Sequence, residues 1–249
     1  MPNLLERLRR AQSFQTGAEQ FDRYRPGYPA EAIDLIIPEG AQRVLELGAG
    51  TGLLTQDLVK RVPEVVVVDP SEAMLAILAR RAPEAEQIHG TAEFIRLPDN
   101  DVDVVVTATA WHWMDPVTTS AEVARVLKPG GQFAIIWNLE SAVPGWHQSF
   151  AEIQPHSTAT PGGMIAHAEF PTTPFGPTVR HFIPWIRRFP TKHLVDLYTT
   201  HSAYRVMSPT QKLIRKKALQ HVVDTHPDLQ QESVDLHMVT EVWITQLPE

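Results

Sequence analysis

The segment Val44-Leu45-Glu46-Leu47-Gly48-Ala49-Gly50-Thr51-Gly52 constrains the fold more than any other part of the chain. An apolar run passes through an acid, three glycines follow at alternate positions, and apolar Leu53 and Leu54 open the next segment. Glycine turns through conformations closed to other residues and approaches a ligand without a Cβ clash. A strand feeding such a turn and then a helix aims free N–H groups at a ligand over the strand's C-terminal end. Spacing separates the candidate ligands. The dinucleotide fingerprint G-x-G-x-x-G needs a third glycine where Leu53 stands, and a phosphate-binding loop needs a Gly-Lys-Ser/Thr that the segment lacks. The acid at Glu46 suits a ligand carrying a cationic amine.

The surrounding pattern alternates. Short apolar or β-branched runs at 43–47, 65–68, 87–89, 102–107 and 132–137 read as strands. Helical patterns at 30–37, 53–61, from Pro70-Ser71-Glu72 onward and at 116–127 lie between or before them. The wholly β-branched run 65–68 suits a parallel strand covered on both faces. Alternation of this kind predicts an α/β, doubly wound, Rossmann-like, mostly parallel sheet. Pro129-Gly130-Gly131 predicts a turn, and Thr91-Ala92-Glu93 an ordinary helix start. Helices are expected at 146–153, 191–201 and 208–225, the last with Ser208 as cap and Pro209 at its first position. Val234, Leu236, Met238, Thr240, Val242 and Ile244 alternate at period two, so the chain is expected to end in a strand. The expected organisation is a helical lid segment over 1–39, a ligand-binding core over 40–138, a lid and substrate region over 139–225 and a strand over 226–249 that completes the core sheet.

Composition narrows the function classes. No cysteine is present, which excludes disulfides, thiolate metal sites and cysteine nucleophiles. Apolar runs are far too short to span a bilayer, and the basic N-terminus leads into no apolar stretch, so a cytoplasmic protein with no membrane partner is expected. The net charge of −7 argues against nucleic acid as a partner. Residues 176–220 hold nine Lys/Arg against one acid, Asp196. They read either as a solvated helix surface or as attraction for an anionic small-molecule acceptor. Residues 141–178 hold six prolines and no Lys or Arg, an irregular stretch suited to a lid. The histidines lack H-E-x-x-H spacing, and no metal site is expected.

Further residues carry candidate chemistry. Asp69 ends the second strand, 17 residues after Gly52. It suits the two ribose hydroxyls of a nucleoside, or a helix N-cap ahead of Pro70. The Ala92 N–H, with Glu93 beside it, suits an adenine edge. His112, after the fourth strand, is either a general base or a structural histidine. Trp111 suits a stacking wall and Trp113 the core. Asn138 at the end of the fifth strand is a candidate substrate contact, and Trp146 is one of several aromatics suited to an apolar lining.

Together, Glu46-Leu47-Gly48-Ala49-Gly50-Thr51-Gly52, Val68-Asp69, Ala92-Glu93 and Arg125-Val126-Leu127-Lys128-Pro129-Gly130-Gly131 resemble the class I S-adenosylmethionine-dependent methyltransferases. Arg25-Pro26-Gly27-Tyr28-Pro29 and Ala110-Trp111-His112-Trp113 are similar to the small-molecule subgroup that includes trans-aconitate methyltransferase-like proteins. The resemblance implies a seven-stranded sheet with an antiparallel last strand. It implies S-adenosylmethionine as methyl donor and S-adenosylhomocysteine as product. Gly48, Ala49, Gly50 and Gly52 would line the methionine portion, with Glu46 near its amino group and Thr109 in the same pocket. Asp69 and Pro70 would lie at the ribose, Met74, Ala92 and Glu93 at the adenine. Arg25 and Tyr28 would close over the cofactor's carboxylate end or the substrate. The implied activity is methylation of a small molecule, on oxygen in preference to nitrogen or carbon, by a monomer or homodimer. A donor-binding regulator of the same fold and a tRNA or other nucleic-acid methyltransferase are the alternative readings.

Overall fold

The computed structural model describes residues 17–153, except 142 and 144, and 174–249. The N-terminal lead-in before residue 17 and most of the proline-rich stretch, with Phe170, lie outside the described residues. The elements are α1 Ala18–Tyr24, α2 Ala30–Ile36, β1 Arg43–Leu47, α3 Thr55–Leu58, β2 Glu64–Asp69, α4 Glu72–Arg81, β3 Glu86–His89, β4 Val102–Ala108, α5 Pro116–Val126, β5 Leu127–Glu140, α6 Trp146–Ile153, β6 Val179–Pro190, α7 Leu194–Thr199, α8 Ser202–Arg205, α9 Pro209–Thr225 and β7 Ser233–Gln246.

The strands form one seven-stranded sheet in the order β3-β2-β1-β4-β5-β7-β6. β1 pairs in parallel with β2 and with β4, β2 with β3, and β4 with β5. β7 runs antiparallel to β5: Gly130 donates to the Leu247 carbonyl, Leu247 returns a bond to Gly131, and Ser141 donates to His237. The connections from β1 to β3 step one way and β4 returns to the other side of β1. That reversal opens a crevice above the C-terminal ends of β1 and β4, where open α/β sheets bind ligands.

Two compact units divide the chain. The first comprises 26–138, 168–183 and 240–249. Its core joins Val44, Val65, Val67, Val104, Val106, Ala134 and Ile136 of the sheet to Ile33 and Ile36 of α2, Leu54, Leu58, Leu75 and Leu78. The apolar stripe read at Ile33 and Ile36 is thus the buried face of α2. The second unit comprises 1–25, 139–167 and 184–239. Its core gathers Tyr24, Trp146, Phe150, Phe189, Leu194, Leu197, Tyr198, Leu219, Leu229 and Leu236.

Three local expectations change. The helix after the glycine turn has only one regular turn, Thr55–Leu58, because the glycines carry the backbone through tight turns first. Pro129-Gly130-Gly131 does not end an element: it lies inside β5 as a bulge, where pairing jumps from Val102↔Leu127 to Val104↔Gln132. Thr91–Phe94 is a tight turn closed by the Phe94 N–H on the Thr91 carbonyl, not a helix start. The basic helix α9 begins with a capping box between Ser208 and Gln211 and fully buries only Leu219, so its lysines lie on a solvated surface.

Candidate functional site

The glycine turn is built by contacts that sequence spacing alone does not reveal. Gly48, Gly50 and Gly52 have φ of +68°, +58° and +81°, the left-handed region that other residues enter at a cost. A Cβ on Gly48 would lie 2.6 Å from the Ala110 Cβ, and one on Gly52 2.9 Å from Leu78 Cγ. Nothing lies within 4 Å of a Cβ on Gly50. Two glycines therefore permit close packing, and the middle one borders open space.

Asp69 organises that space. Its Oδ2 accepts the Gly50 N–H at 2.8 Å and its Oδ1 accepts the Ser71 N–H at 2.8 Å. The helix N-cap role falls to Ser71, whose hydroxyl accepts the Met74 N–H. A carboxylate has about four lone-pair sites, so each Asp69 oxygen keeps capacity for one further donor. Burial raises the Asp69 pKa against the two backbone bonds that lower it.

Glu46 lies one strand over and is 1% exposed. The Thr55 hydroxyl donates to its Oε2 at 2.6 Å. Burial pushes its pKa up to about 8, the Thr55 bond opposes this, and the Asp69 charge adds to it. A buried acid held neutral ahead of a glycine turn is poised to ionise when a cation arrives.

The rest of the rim is ordered by backbone-directed bonds. Thr109, at the end of β4, has φ +54°, an outlier for a β-branched residue. Its N–H bonds to Ile136 at 2.8 Å and its Oγ1 meets the Tyr28 hydroxyl at 2.9 Å. Glu93 Oε1 accepts the Asp115 N–H at 2.9 Å, while Ala92 and Met74 are buried. Arg125 explains the motif before β5. It donates to the Ile95 and Leu97 carbonyls at 2.8 Å each and to Asp99 and Glu122, pinning the segment after Ala92-Glu93.

The structure draws distinctions among the remaining site residues. Trp111 is 2% exposed and packs edge-on to Phe133 at 5.5 Å, so it is core, whereas Trp113 is half-buried. The 3-10 turn Trp111–Trp113 reverses the faces that a continuing strand would have given. His112 is half-buried, 4.1 Å from the Trp113 ring and 6.1 Å from the Trp137 ring. Asn138 donates to the Gly27 carbonyl at 2.8 Å and accepts from Thr240 at 2.6 Å, which ties the Pro26–Pro29 turn to the sheet. Arg25 and Trp146 belong to the second unit. Trp146 is 4% exposed there, stacked on His147 at 3.6 Å. Among the described residues no group of three His, Asp or Glu could hold a metal, and no helix is long and apolar enough to cross a membrane.

A family model described as a methyltransferase domain matches residues 45–135. An uncharacterized methyltransferase of Mycobacterium tuberculosis is 41% identical over 220 residues, covering 87% of this chain and 88% of the relative. The chain belongs to the methyltransferase family. Two solved structures share the fold. A protein assigned as a type II methyltransferase from Anaeromyxobacter dehalogenans has a TM-score of 0.64 at 22% identity, covering 91% of this chain and 100% of its own. Haemonchus contortus phosphoethanolamine N-methyltransferase 2, in complex with phosphomonomethylethanolamine and S-adenosylhomocysteine, has a TM-score of 0.56 at 17% identity, covering 100% of this chain and 61% of its own.

For this methyltransferase, sequence reasoning missed Thr55, Ser71 and Thr51. The Thr51 hydroxyl is buried in the glycine turn with no hydrogen-bond partner among the described residues. Thr55 lies nine residues from Glu46 and Ser71 two from Asp69. A hydroxyl residue just after each acid was the only signal available.

Proposed function

We propose that the chain transfers a methyl group from S-adenosylmethionine to a small-molecule acceptor, on a carboxylate or hydroxyl oxygen. The single observation that supports this most is the Glu46–Gly50–Asp69 arrangement. It combines a neutral buried acid for an ammonium, open space over Gly50, and a carboxylate anchored by two N–H bonds with capacity left for two hydroxyls. The donor has the matching groups: an α-ammonium, a ribose diol and an adenine. Ala92, Met74 and Glu93 are suited to the adenine end, with Pro70 beside the ribose.

Bound, the donor supplies a methyl carbon on a sulfonium, open to in-line attack. The protein's own residues orient the acceptor and exclude water, and positioning supplies much of the acceleration. His112 follows the end of β4 and is suited to hold the proton of an acceptor hydroxyl. A carboxylate acceptor needs no base, and His112 then only orients it. Tyr28 and Thr109 form the polar rim. The likeness of Arg25–Pro29 and Ala110–Trp113 to trans-aconitate methyltransferase-like proteins supports an anionic acceptor.

The test is transfer of labelled methyl to carboxylic acids and phenols, with wild type and His112→Asn. The reading expects labelled ester or ether. For a phenol, His112→Asn should lower kcat by roughly a hundredfold or more; for a carboxylic acid it should change kcat little. Label recovered only on tRNA would overturn the small-molecule reading.

Donor binding carries a proton signature. Near pH 6.5 free Glu46 is protonated, because its pKa lies near 8, and an α-amine is already charged. Binding should release about one proton as the ammonium ionises Glu46. Calorimetry with S-adenosylhomocysteine in buffers of differing ionisation enthalpy reads this directly, and Glu46→Gln should abolish the release. The sign for stability follows from the same shift. The folded pKa of this acid is raised, so the folded state holds the extra proton, and stability falls as pH rises from the ordinary carboxylate range towards 8.

A further inference from the structure

The second unit holds a buried polar cluster that the glycine-turn site does not use. Glu140 ends β5 and is 7% exposed. Its Oε1 accepts the Tyr198 hydroxyl at 2.5 Å, and His147 Nε2 lies 3.8 Å from the same oxygen. Tyr198 and His147 are themselves buried, at 0% and 3% exposure. His147 Nε2 has no hydrogen-bond partner among the described residues. The imidazole stacks on Trp146, and Phe150 packs edge-on to both Trp146 and Tyr198.

Two guanidiniums, Arg25 and Arg187, act on the single carboxylate of Glu140. Arg187 is half-buried, lies 4.6 Å over the Phe189 ring and forms no ion pair within the described residues. Burial pushes His147 down to about 4 and, helped by Arg25, His201 to about 3, so both imidazoles are neutral near pH 7. The cluster thus carries excess positive charge. Burial also pushes Glu140 up to about 7, against the Tyr198 bond and the two arginines. Tyr198 donates to Oε1, so a proton on Glu140 sits on Oε2, aimed at whatever enters. A buried positive excess beside a carboxyl that can donate and an aromatic wall is suited to an organic anion.

We propose that this cluster binds the carboxylate of an aromatic or apolar acid: the anion pairs with Arg187 and accepts a hydrogen bond from Glu140 Oε2, with Trp146 and Phe150 beside it. This deepens the methyltransferase reading by naming the acceptor's anchoring group, and rests on that reading only for the acceptor role.

The experiment is calorimetric titration of the full chain with benzoate at about pH 6 and about pH 8.5. Benzylamine serves as cationic counterpart, and S-adenosylhomocysteine is titrated into the same protein. Benzoate should bind roughly tenfold or more tightly at the lower pH, and benzylamine should not bind. Glu140→Gln, a permanent donor of the same shape, should bind benzoate equally at both pH values. Arg187→Gln should lose roughly tenfold or more. Arg25 and Tyr198 keep their protons across this range, and His147 and His201 stay neutral. His237, whose ring lies 6.3 Å from His147, is the remaining titratable neighbour, and the pH dependence should survive in His237→Gln. Benzoate affinity unchanged with pH, or preference for benzylamine, overturns the proposal. Protein that binds S-adenosylhomocysteine but not benzoate overturns it and leaves the donor site intact. Benzoate binding without nucleoside binding sustains the cluster and sinks the donor reading.

Discussion

Replacing Asp69 by alanine should lower affinity for S-adenosylhomocysteine by roughly a hundredfold or more. A hydrogen bond to a charged group contributes about 1.5–3 kcal/mol, and a ribose diol would make two to this carboxylate. The substitution also releases the Gly50 and Ser71 N–H groups that the carboxylate holds at 2.8 Å each. The glycine turn then loses its tie to β2 as well as its ligand contact. Asp69→Asn separates the two effects. Its amide has one acceptor oxygen and cannot serve both N–H groups, so the thermal midpoint should fall along with affinity. Calorimetry and thermal unfolding of both variants check this. Unchanged affinity in Asp69→Ala would remove the nucleoside from this crevice.

The second large effect is a contrast between neighbouring glycines. Gly48→Ala should destabilise the fold by about 3–5 kcal/mol, the sum of a left-handed backbone and a forced overlap in the core. Its new Cβ would meet Ala110 at 2.6 Å and Met114 Cε at 3.2 Å. Gly50→Ala meets nothing within 4 Å, so it carries only the backbone term, about 1–2 kcal/mol. Its Cβ projects into the open space proposed for the donor, and affinity should fall by more than roughly tenfold. Denaturant unfolding and nucleoside titration of the pair give opposite rankings if the turn is a cradle. Equal losses of stability with donor binding retained would make the turn a packing device only.

Much of the fold was legible because period and composition report on burial. The β-branched run at Val65–Val68 could only be a strand covered on both faces, and the alternation from Val234 to Ile244 could only be a half-buried strand. The bulge inside β5 was not legible. Proline and two glycines mark a turn in isolation, and only the pairing of Leu127 with Val102 carries the strand through them. The glycine turn was found by spacing, yet the partners that give Glu46 and Asp69 their character, Thr55 and Ser71, appear only when the backbone brings hydroxyl and N–H groups back to the acids. Trp111 and Trp113 exchanged roles because a 3-10 turn, invisible to periodicity, rotates the segment. The Glu140 cluster escaped sequence reading altogether. Its members come from β5, α6, β6 and α7, and no spacing links Glu140 to Tyr198.

The most direct measurement is calorimetric titration of the full chain with S-adenosylhomocysteine, and with NAD under the same conditions. The Glu46–Gly50–Asp69 geometry predicts micromolar binding of the sulfur nucleoside, proton release near pH 6.5 and no binding of NAD. Binding of NAD, or of neither, would contradict the assignment of this crevice to a methyl donor.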